Sequence, residues 1–294
     1  MIIVTGALGF IGSNIVKELN SRKQYDLLLI DEMKNAENIA GTKFKALESM
    51  SDFYSKFKDW RNVDCVFHQG AISSTTERNK VKIQNYNIKP TSQLLHDCLE
   101  NNVLFSYASS ASVYGTDLYF KEDAELKPKS LYAESKAEMD KQVEEILRVK
   151  PNAKIQGWRY FNVYGQGEQF KKDQASPLHK FTEQAKTGKI YIFEGSENYK
   201  RDFICVKDLA RIVVDASYKD FSGVYNLGTG TAISFREVAD MIAEKYNASV
   251  VEIPFPNNLE GQYQIFTKAD MRKLAEVFDE ELQFVSVKDY LESV

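Results

Sequence analysis

Cysteine, histidine and proline are all scarce in this chain. Three cysteines, Cys65, Cys98 and Cys205, are spread through 294 residues. They form no CxxC pair, which excludes a zinc ribbon and a disulfide-built scaffold, and the odd count predicts a reducing, cytoplasmic setting. Three histidines, His68, His96 and His179, are too few and too dispersed to predict a metal site, and none is expected. Six prolines and 15 glycines exclude collagen-like and Pro/Gly-rich disordered chains. There is no excess of positive charge: 38 Lys and Arg against 42 Asp and Glu give a formal net charge of -4. Nucleic acid and anionic membrane surfaces are therefore not expected partners. No run approaches the roughly 20 apolar residues that span a membrane. Residues 1–4 lack the basic start of a signal peptide and read as a strand. What remains, 43% hydrophobic and 27% charged, is globular in composition and long enough to bury a sizeable core.

Short apolar runs recur at residues 2–4, 27–30, 63–68, 103–108, 155–160 and 224–228. Helical spacing lies between them, clearest at 13–19 and 132–147. Short strands alternating with helices predict an α/β fold, a doubly wound parallel sheet covered on both faces. Polar and glycine residues follow the strands, at the edge where such sheets bind ligands. After Gly165 the rhythm changes. Residues 166–200 are polar with a helix at 177–186, and residues 201–218 read as a loop or strand and then a helix. Residues 234–246 predict a helix capped by Ser234 with Glu237 three residues on. No internal repeat is present.

Residues 6–12 spell GxxGxxG after a strand and before a helix. Gly6 suits the tight turn, Gly9 lets backbone approach a pyrophosphate, and Gly12 lets helix and strand pack closely. The exposed N–H groups of the helix favour diphosphate charge. Asp31, 25 residues after Gly6, can accept hydrogen bonds from an adenosine ribose, which favours NAD. Lys34 and Lys43 lie just beyond it, and either could neutralise a 2'-phosphate and favour NADP, so the residues leave the choice open. The expected division is a dinucleotide-binding domain at 1–165 with 203–230, and a smaller mixed α/β substrate domain at 166–202 with 231–294.

Tyr132 and Lys136 stand four apart in a predicted helix and so share a face. A neighbouring ammonium favours the phenolate of a tyrosine, which can then remove a hydroxyl proton. Ser110, closing an earlier strand, can hydrogen-bond the same oxygen, and Lys136 can also hold a nicotinamide ribose.

These landmarks, with HQGA at His68, NIKPT at Asn87, YASSASVYG at Tyr107, RYFNVYG at Arg159, RDF at Arg201 and YNLGTG at Tyr225, resemble the extended short-chain dehydrogenase/reductase family of nucleotide-sugar enzymes. The resemblance covers nearly the whole chain and implies a Rossmann-like fold. Asn87 matches that family's structural active-site Asn. The related 4,6-dehydratases have an Asp-Glu pair where this chain has Ala111 and Ser112, which weighs against elimination.

The strings ISSTTE at 72–77, FEGSEN at 193–198, KRDF at 200–203, PFP at 254–256 and GQYQ at 261–264 resemble, within that family, the 6-epimerases of ADP-heptose. That resemblance implies a tightly held NADP, with NAD as the alternative, and an ADP-heptose substrate that supplies the lipopolysaccharide core. It also implies a homo-oligomer, often a pentamer. The cofactor contacts it implies are Gly6, Gly9, Phe10, Ile11, Gly12, Asp31, Glu32, Lys43, Gln69, Gly70, Ala71, Ile72, Ser73, Asn87, Tyr132, Lys136 and Val163. Substrate contacts would be Ser110, Asn162, Lys180, Phe193, Glu194, Gly195, Ser196, Arg201 and Tyr263, with Arg201 as the diphosphate clamp. Inverting a carbon outside the ring requires hydride removal and its return to the opposite face, with the ketone turning in the pocket or a second proton donor on the other side. By the resemblance Tyr132 and Lys171 would be the acid/base residues for the two faces, with Lys172 as the alternative to Lys171. Three departures stand out. Lys171 is followed by Lys172-Asp173 where the resemblance predicts Gly-Ser, Lys180 occupies a position where a histidine is usual, and the segment between Asp31 and Gly41 is long. Another nucleotide-sugar epimerase, such as a 4-epimerase using NAD, is the alternative reading.

Overall fold

In the computed structural model, the described residues are 1–32, 35–256, 264–278 and 281–294, with the side chains at 172 and 173 left aside. The apolar runs form β1 (Ile2–Thr5), β2 (Leu27–Ile30), β4 (Cys65–His68), β5 (Leu104–Ser110), β6 (Ile155–Tyr160) and β10 (Gly223–Leu227). Between and after them lie β3 (Ala46–Glu48), β7 (Asn162–Tyr164), β8 (Lys189–Phe193), β9 (Lys200–Cys205), β11 (Ala232–Ser234) and β12 (Ser249–Ile253). The helices are α1 (Phe10–Ser21), α2 (Met50–Lys56), α3 (Lys80–Ile83), α4 (Lys89–Glu100), α5 (Leu131–Val149), α6 (Pro177–Ala185), α7 (Val206–Ala216), α8 (Phe235–Tyr246), α9 (Arg272–Ala275) and α10 (Val287–Ser293).

Seven strands make the main sheet in the order β10-β6-β5-β4-β1-β2-β3. The pairs β1/β2, β1/β4, β2/β3 and β4/β5 are parallel. Every residue of β2, β4 and β6 is buried, as a sheet covered on both faces requires. This is the Rossmann-like doubly wound sheet, with its order reversing between β1 and β4. A three-stranded sheet, β11-β9-β7, and a parallel pair, β12-β8, form the smaller mixed α/β part.

The chain divides into two compact units. The first comprises Met1–Val113, Pro128–Arg159 and Ala210–Tyr225. The second comprises Tyr114–Lys127, Tyr160–Leu209 and Asn226–Val294. Residues 114–127, 160–165, 203–209 and 226–230 thus group with the second unit, although the sequence pattern placed them with the first. Each unit has its own core. Ile3, Val66, Phe105, Met139, Val143 and Ile155 belong to one cluster, and Tyr164, Phe181, Ile190, Phe203, Val238 and Ile242 to the other.

Local chemistry accounts for the helix starts. Ser130 accepts the Ala133 N–H at 3.2 Å to open α5. Ser176 caps α6 with Pro177 in its first turn, where the missing N–H of proline costs nothing. Ser234 and Glu237 form the expected capping box at α8. The segment expected to be polar between 166 and 200 contains β8, whose Ile190 and Ile192 are buried while Lys189 and Tyr191 are exposed. A period of two over five residues is a half-buried strand. Among the described residues, no helix is long and apolar enough to cross a membrane.

Candidate active site

In the first unit, β1 leads through a glycine turn into α1. Gly6 has φ +64°, and a Cβ there would lie 2.6 Å from the Gly70 nitrogen. A Cβ on Gly12 would collide with the Gly6 carbonyl. Both positions therefore require glycine. Gly9 is the N-cap of α1, which has no side-chain cap and no acidic residue in its first turn. An uncapped, acid-free N-terminus beside a glycine turn fits a diphosphate. Phe10 and Ile11 open the helix behind it.

Asp31 immediately follows β2. Its Oδ2 accepts the Leu8 N–H at 2.7 Å and its Oδ1 accepts the Glu32 N–H at 2.7 Å. A carboxylate has about four acceptor sites, so two remain for ribose hydroxyls. Asn38, buried, donates to the Leu8 carbonyl at 3.2 Å and packs the long segment after Asp31 onto the glycine turn. Lys43 is a correction to the expected cofactor set. It precedes β3, whose Ala46 is opposite Leu28. Its backbone is held by Asn20 late in α1, and its ammonium sits 5.2 Å from the Tyr25 ring centroid. That is the N-terminal edge of the sheet. The four residues of β2, roughly 13 Å of strand, separate it from Asp31. Lys34 and Tyr263 lie outside the described residues.

The chemistry-bearing side chains meet where β5 runs beside α5. Lys136 is buried and its Nζ donates to the Ala108 carbonyl at 2.7 Å, 5.8 Å from the centroid of the Tyr132 ring. The Ser110 hydroxyl faces the Tyr132 phenol and favours its charged form. Its Oγ accepts from the Ser112 N–H at 3.2 Å and the Ser112 hydroxyl at 2.9 Å. With its acceptor sites so engaged, Ser110 has its own proton to direct at Tyr132. Ser112, noted in the sequence only as the absence of an acid, thus orients Ser110. Further along α5, Asp140 accepts from Tyr107 at 2.9 Å, Ser109 at 2.9 Å and Arg159 at 2.8 Å. Residues 107–110 of β5 therefore meet Asp140, Lys136 and Tyr132, one helical turn after another, which fixes the register of helix on strand.

Burial raises the Tyr132 pKa, and the Ser110 hydrogen bond opposes that rise. The effect expected from Lys136 is not what governs the phenol. Desolvation opposes the phenolate that removal of a hydroxyl proton needs, and Ser110 favours it. Burial pulls Lys136 down to about 8, against the pull of Asp140.

The loop after β4 completes this side. The Gln69 N–H donates to the Thr5 carbonyl at 3.1 Å and the Gly70 N–H to the Thr5 hydroxyl at 3.3 Å. Ala71 and Ser73 flank Ile72, whose N–H and carbonyl both bond the Asn87 amide, at 2.8 and 3.0 Å. Asn87 lies in a π turn, Gln84–Ile88, an irregularity frequent at functional sites.

The second unit holds the remaining candidates. Lys171 lies in a 3-10 segment, Glu168–Gln174, and burial lowers its pKa, with Glu168 opposing and Lys180 adding to the shift. Glu168 was not singled out in the sequence. It is buried and accepts from the Gly165 N–H at 3.1 Å, the Ser176 N–H at 2.7 Å and the Ser176 hydroxyl at 2.9 Å. It ties both ends of the Lys171 segment. A lone glutamate between a glycine and a Ser-Pro helix start is the only clue the sequence offers. Lys180 is exposed on α6. Asn162 in β7 accepts from Thr267 at 3.2 Å, with Val163 next to it.

Phe193 ends β8 against Phe255, at 5.3 Å between ring centroids. Glu194, Gly195 and Ser196 form the following turn, in which the Ser196 N–H donates to the Phe193 carbonyl at 3.1 Å. The buried Ser196 hydroxyl has no hydrogen-bond partner among the described residues, which suits a site for a polar ligand. Arg201 is buried over the Phe235 ring, 5.1 Å from its centroid, and donates to the carbonyls of Lys200 and Gln264. Asp202 beside it accepts from Thr229, Gly230 and Ala269.

A glycine turn feeding an uncapped helix, with serine, tyrosine and lysine on one strand-helix pair, defines a class: an enzyme that oxidises and reduces carbon with a bound nicotinamide. Comparison with known proteins narrows it. The model of the NAD dependent epimerase/dehydratase family matches residues 2–228, and the chain belongs to that family. It is an NAD(P)-dependent epimerase with a Rossmann fold for its internal redox cofactor, and its reaction type is the epimerisation of a nucleotide sugar by oxidation and re-reduction. The structure is similar to the Helicobacter pylori ADP-L-glycero-D-manno-heptose-6-epimerase, with 25% identity and a TM-score of 0.81 over 99% of this chain and 94% of that one. It is also similar to the Thermotoga maritima UDP-glucose 4-epimerase with UDP-glucose, with 26% identity and a TM-score of 0.84 over 99% and 96%. A third is the Thermus thermophilus UDP-glucose 4-epimerase complex with NAD, with 25% identity and a TM-score of 0.77 over 99% and 97%.

Proposed function

We propose that this chain inverts C6 of ADP-D-glycero-β-D-manno-heptose, giving the L-glycero epimer through a C6 ketone. The observation that carries the reading is Lys171, a desolvated lysine on a segment tied at both ends by buried Glu168. Inversion at an exocyclic carbon calls for a second acid/base besides Tyr132, and a lysine with a lowered pKa is suited to that task. The ISSTTE, FEGSEN and KRDF strings and the likeness to the Helicobacter enzyme support the same substrate. The likeness to UDP-glucose 4-epimerases favours the alternative, a 4-epimerase of another nucleotide sugar.

The nicotinamide, when bound, supplies hydride removal and return. The chain supplies the proton chemistry. As a phenolate, Tyr132 would take the proton of the sugar hydroxyl as it becomes a carbonyl, and Lys171 would give a proton to the same oxygen when the ketone is reduced from its other face. Ser110 hydrogen-bonds the phenol and steadies its charge as the proton leaves. Lys136 holds positive charge beside the tyrosine ring. Gly6, Gly9 and Gly12 with the start of α1 would hold the diphosphate. Residues 69–73 and Asn87 would line the same cofactor. Arg201 and the Phe193–Ser196 turn are assigned to the ADP-sugar. The cofactor in this reading is NAD, against the NADP implied by resemblance. Asp31 and Glu32 put two carboxylates directly after β2, a charge that disfavours a 2'-phosphate there, and Lys43 lies beside Tyr25 before that strand begins.

The test is purified enzyme incubated with ADP-D-glycero-β-D-manno-heptose without added cofactor, with the C6 centre followed by NMR. Epimer formation is expected. No epimer, together with turnover of UDP-glucose to UDP-galactose, would establish the alternative. The mass of the dinucleotide released on denaturation decides NAD against NADP.

A further inference from the structure

His68 takes no part in the chemistry above, yet it is buried at the end of β4 with both ring nitrogens bonded. Nδ1 lies 2.6 Å from the Thr5 hydroxyl and Nε2 lies 2.8 Å from the Thr91 hydroxyl. Which nitrogen carries the proton follows from the neighbours. The Thr91 hydroxyl donates its single proton to the Asn87 carbonyl, so towards His68 it can only accept. Nε2 is therefore the N–H, and Nδ1 is an acceptor that receives the Thr5 proton. The Thr5 oxygen in turn accepts the Gly70 N–H. Every donor in this chain meets an acceptor, and no other arrangement of its protons does so. The ring is kept neutral. Burial and then the Lys136 charge lower its pKa from 6.5 to about 3.

From Asn87 the chain continues. The Asn87 amide donates to the Ser135 hydroxyl at 3.2 Å, and that hydroxyl donates to the Tyr132 carbonyl at 2.7 Å. One line of polar contacts thus runs from β1 through His68 and the π turn to the first turn of α5. We propose that His68 is a positioning residue for Tyr132: as its neutral Nε2–H tautomer it holds Thr91, and through Thr91 the Asn87 turn, at the setting that places Tyr132. The inference rests on Tyr132 being the acid/base of the proposed reaction. It adds a requirement that reading does not contain, namely that the Nε2 side of the ring governs turnover and the Nδ1 side does not.

The two sides can be separated. Glutamine places an amide near the Nε2 position and can still donate to Thr91, while losing Thr5. Asparagine places its amide near Nδ1 and keeps Thr5, while losing Thr91. In holoenzyme, His68→Gln should keep kcat within about threefold of the parent. His68→Asn and Thr91→Val should each lower it roughly 10- to 100-fold, the scale of one or two lost buried hydrogen bonds. KM should stay within about twofold, since the sugar contacts are untouched. Nitrogen NMR of the His68 ring should show the Nε2–H tautomer, and amide exchange of residues 131–136 should quicken in His68→Asn and not in His68→Gln. These two readouts need no sugar, so they stand or fall apart from the substrate reading. An Nδ1–H tautomer overturns the proposal. So do equal losses in His68→Gln and His68→Asn, which would mean general destabilisation, and so does parent-like turnover in Thr91→Val. If His68→Asn does not fold, Thr91→Val and the tautomer decide.

Discussion

The two units hold their candidate residues in different ways. In the first, Ser110, Tyr132 and Lys136 stand on a strand and a helix, and hydrogen bonds run from β1 to α5 with hardly a break. In the second, Lys171, the Phe193–Ser196 turn and Arg201 lie on a 3-10 segment, a turn and the start of β9. Buried Glu168 ties the Lys171 segment, and buried Asp202, next to Arg201, holds Thr229, Gly230 and Ala269. Regular elements hold groups at a fixed angle, as proton transfer needs, whereas loops can be rebuilt for a new ligand without disturbing the core. In the proposed reading the Tyr132 proton transfer thus belongs to the rigid unit, and the Lys171 transfer and the choice of sugar to the looped one.

The largest expected effect breaks the first unit alone. Tyr132→Phe should lower kcat by about 10²- to 10⁴-fold with the dinucleotide retained, as seen by turnover and by the absorbance of the purified protein. A loss of cofactor along with activity would show that the tyrosine serves binding instead.

The next concerns pH. Folded His68 has a pKa of about 3 against 6.5 when unfolded, so between those values the unfolded chain holds more protons. The stability due to its burial as the neutral ring is complete above 6.5 and is lost as pH falls towards 3. The slope is about 1.4 kcal/mol per pH unit. Urea unfolding at several pH values should show a slope steeper in the parent than in His68→Gln by about this amount.

In the second unit, Glu168→Ala leaves the Gly165 and Ser176 groups without their buried acceptor. It should lower stability by about 2–3 kcal/mol and raise KM while the cofactor stays bound. An unchanged KM would remove the Lys171 segment from the substrate site. Ser234→Ala, at the capping box of α8, should cost about 1 kcal/mol with turnover unchanged, measured by thermal unfolding. Smallest of all, Lys43→Ala should leave dinucleotide affinity within about twofold of the parent, as titration calorimetry would show. A large loss would restore NADP.

Much of the first unit was legible because its signals are local. The glycine turn, the acid ending β2 and the YxxxK spacing are each read within a few residues. Glu168, Ser112 and the His68 contacts were not legible, since each acts on partners whose nearness in space has no periodic trace in the chain. β8 was missed because five residues give a weak alternation. Lys43 was misplaced because a position after Asp31 in sequence was read as nearness to it, whereas the long segment carries the chain back to the far edge before β3 begins.

The sequence by itself determined the alternation of strand and helix, the helix caps, the serine-tyrosine-lysine set and the family, because these depend on backbone chemistry and short spacings. Only the tertiary structure decided which nitrogen of His68 carries the proton, what holds the Lys171 segment and which edge of the sheet Lys43 occupies. Those follow from burial and from hydrogen-bond partners far apart in sequence, such as Thr5 and His68, 63 residues apart, and such pairings exist only once the chain has folded.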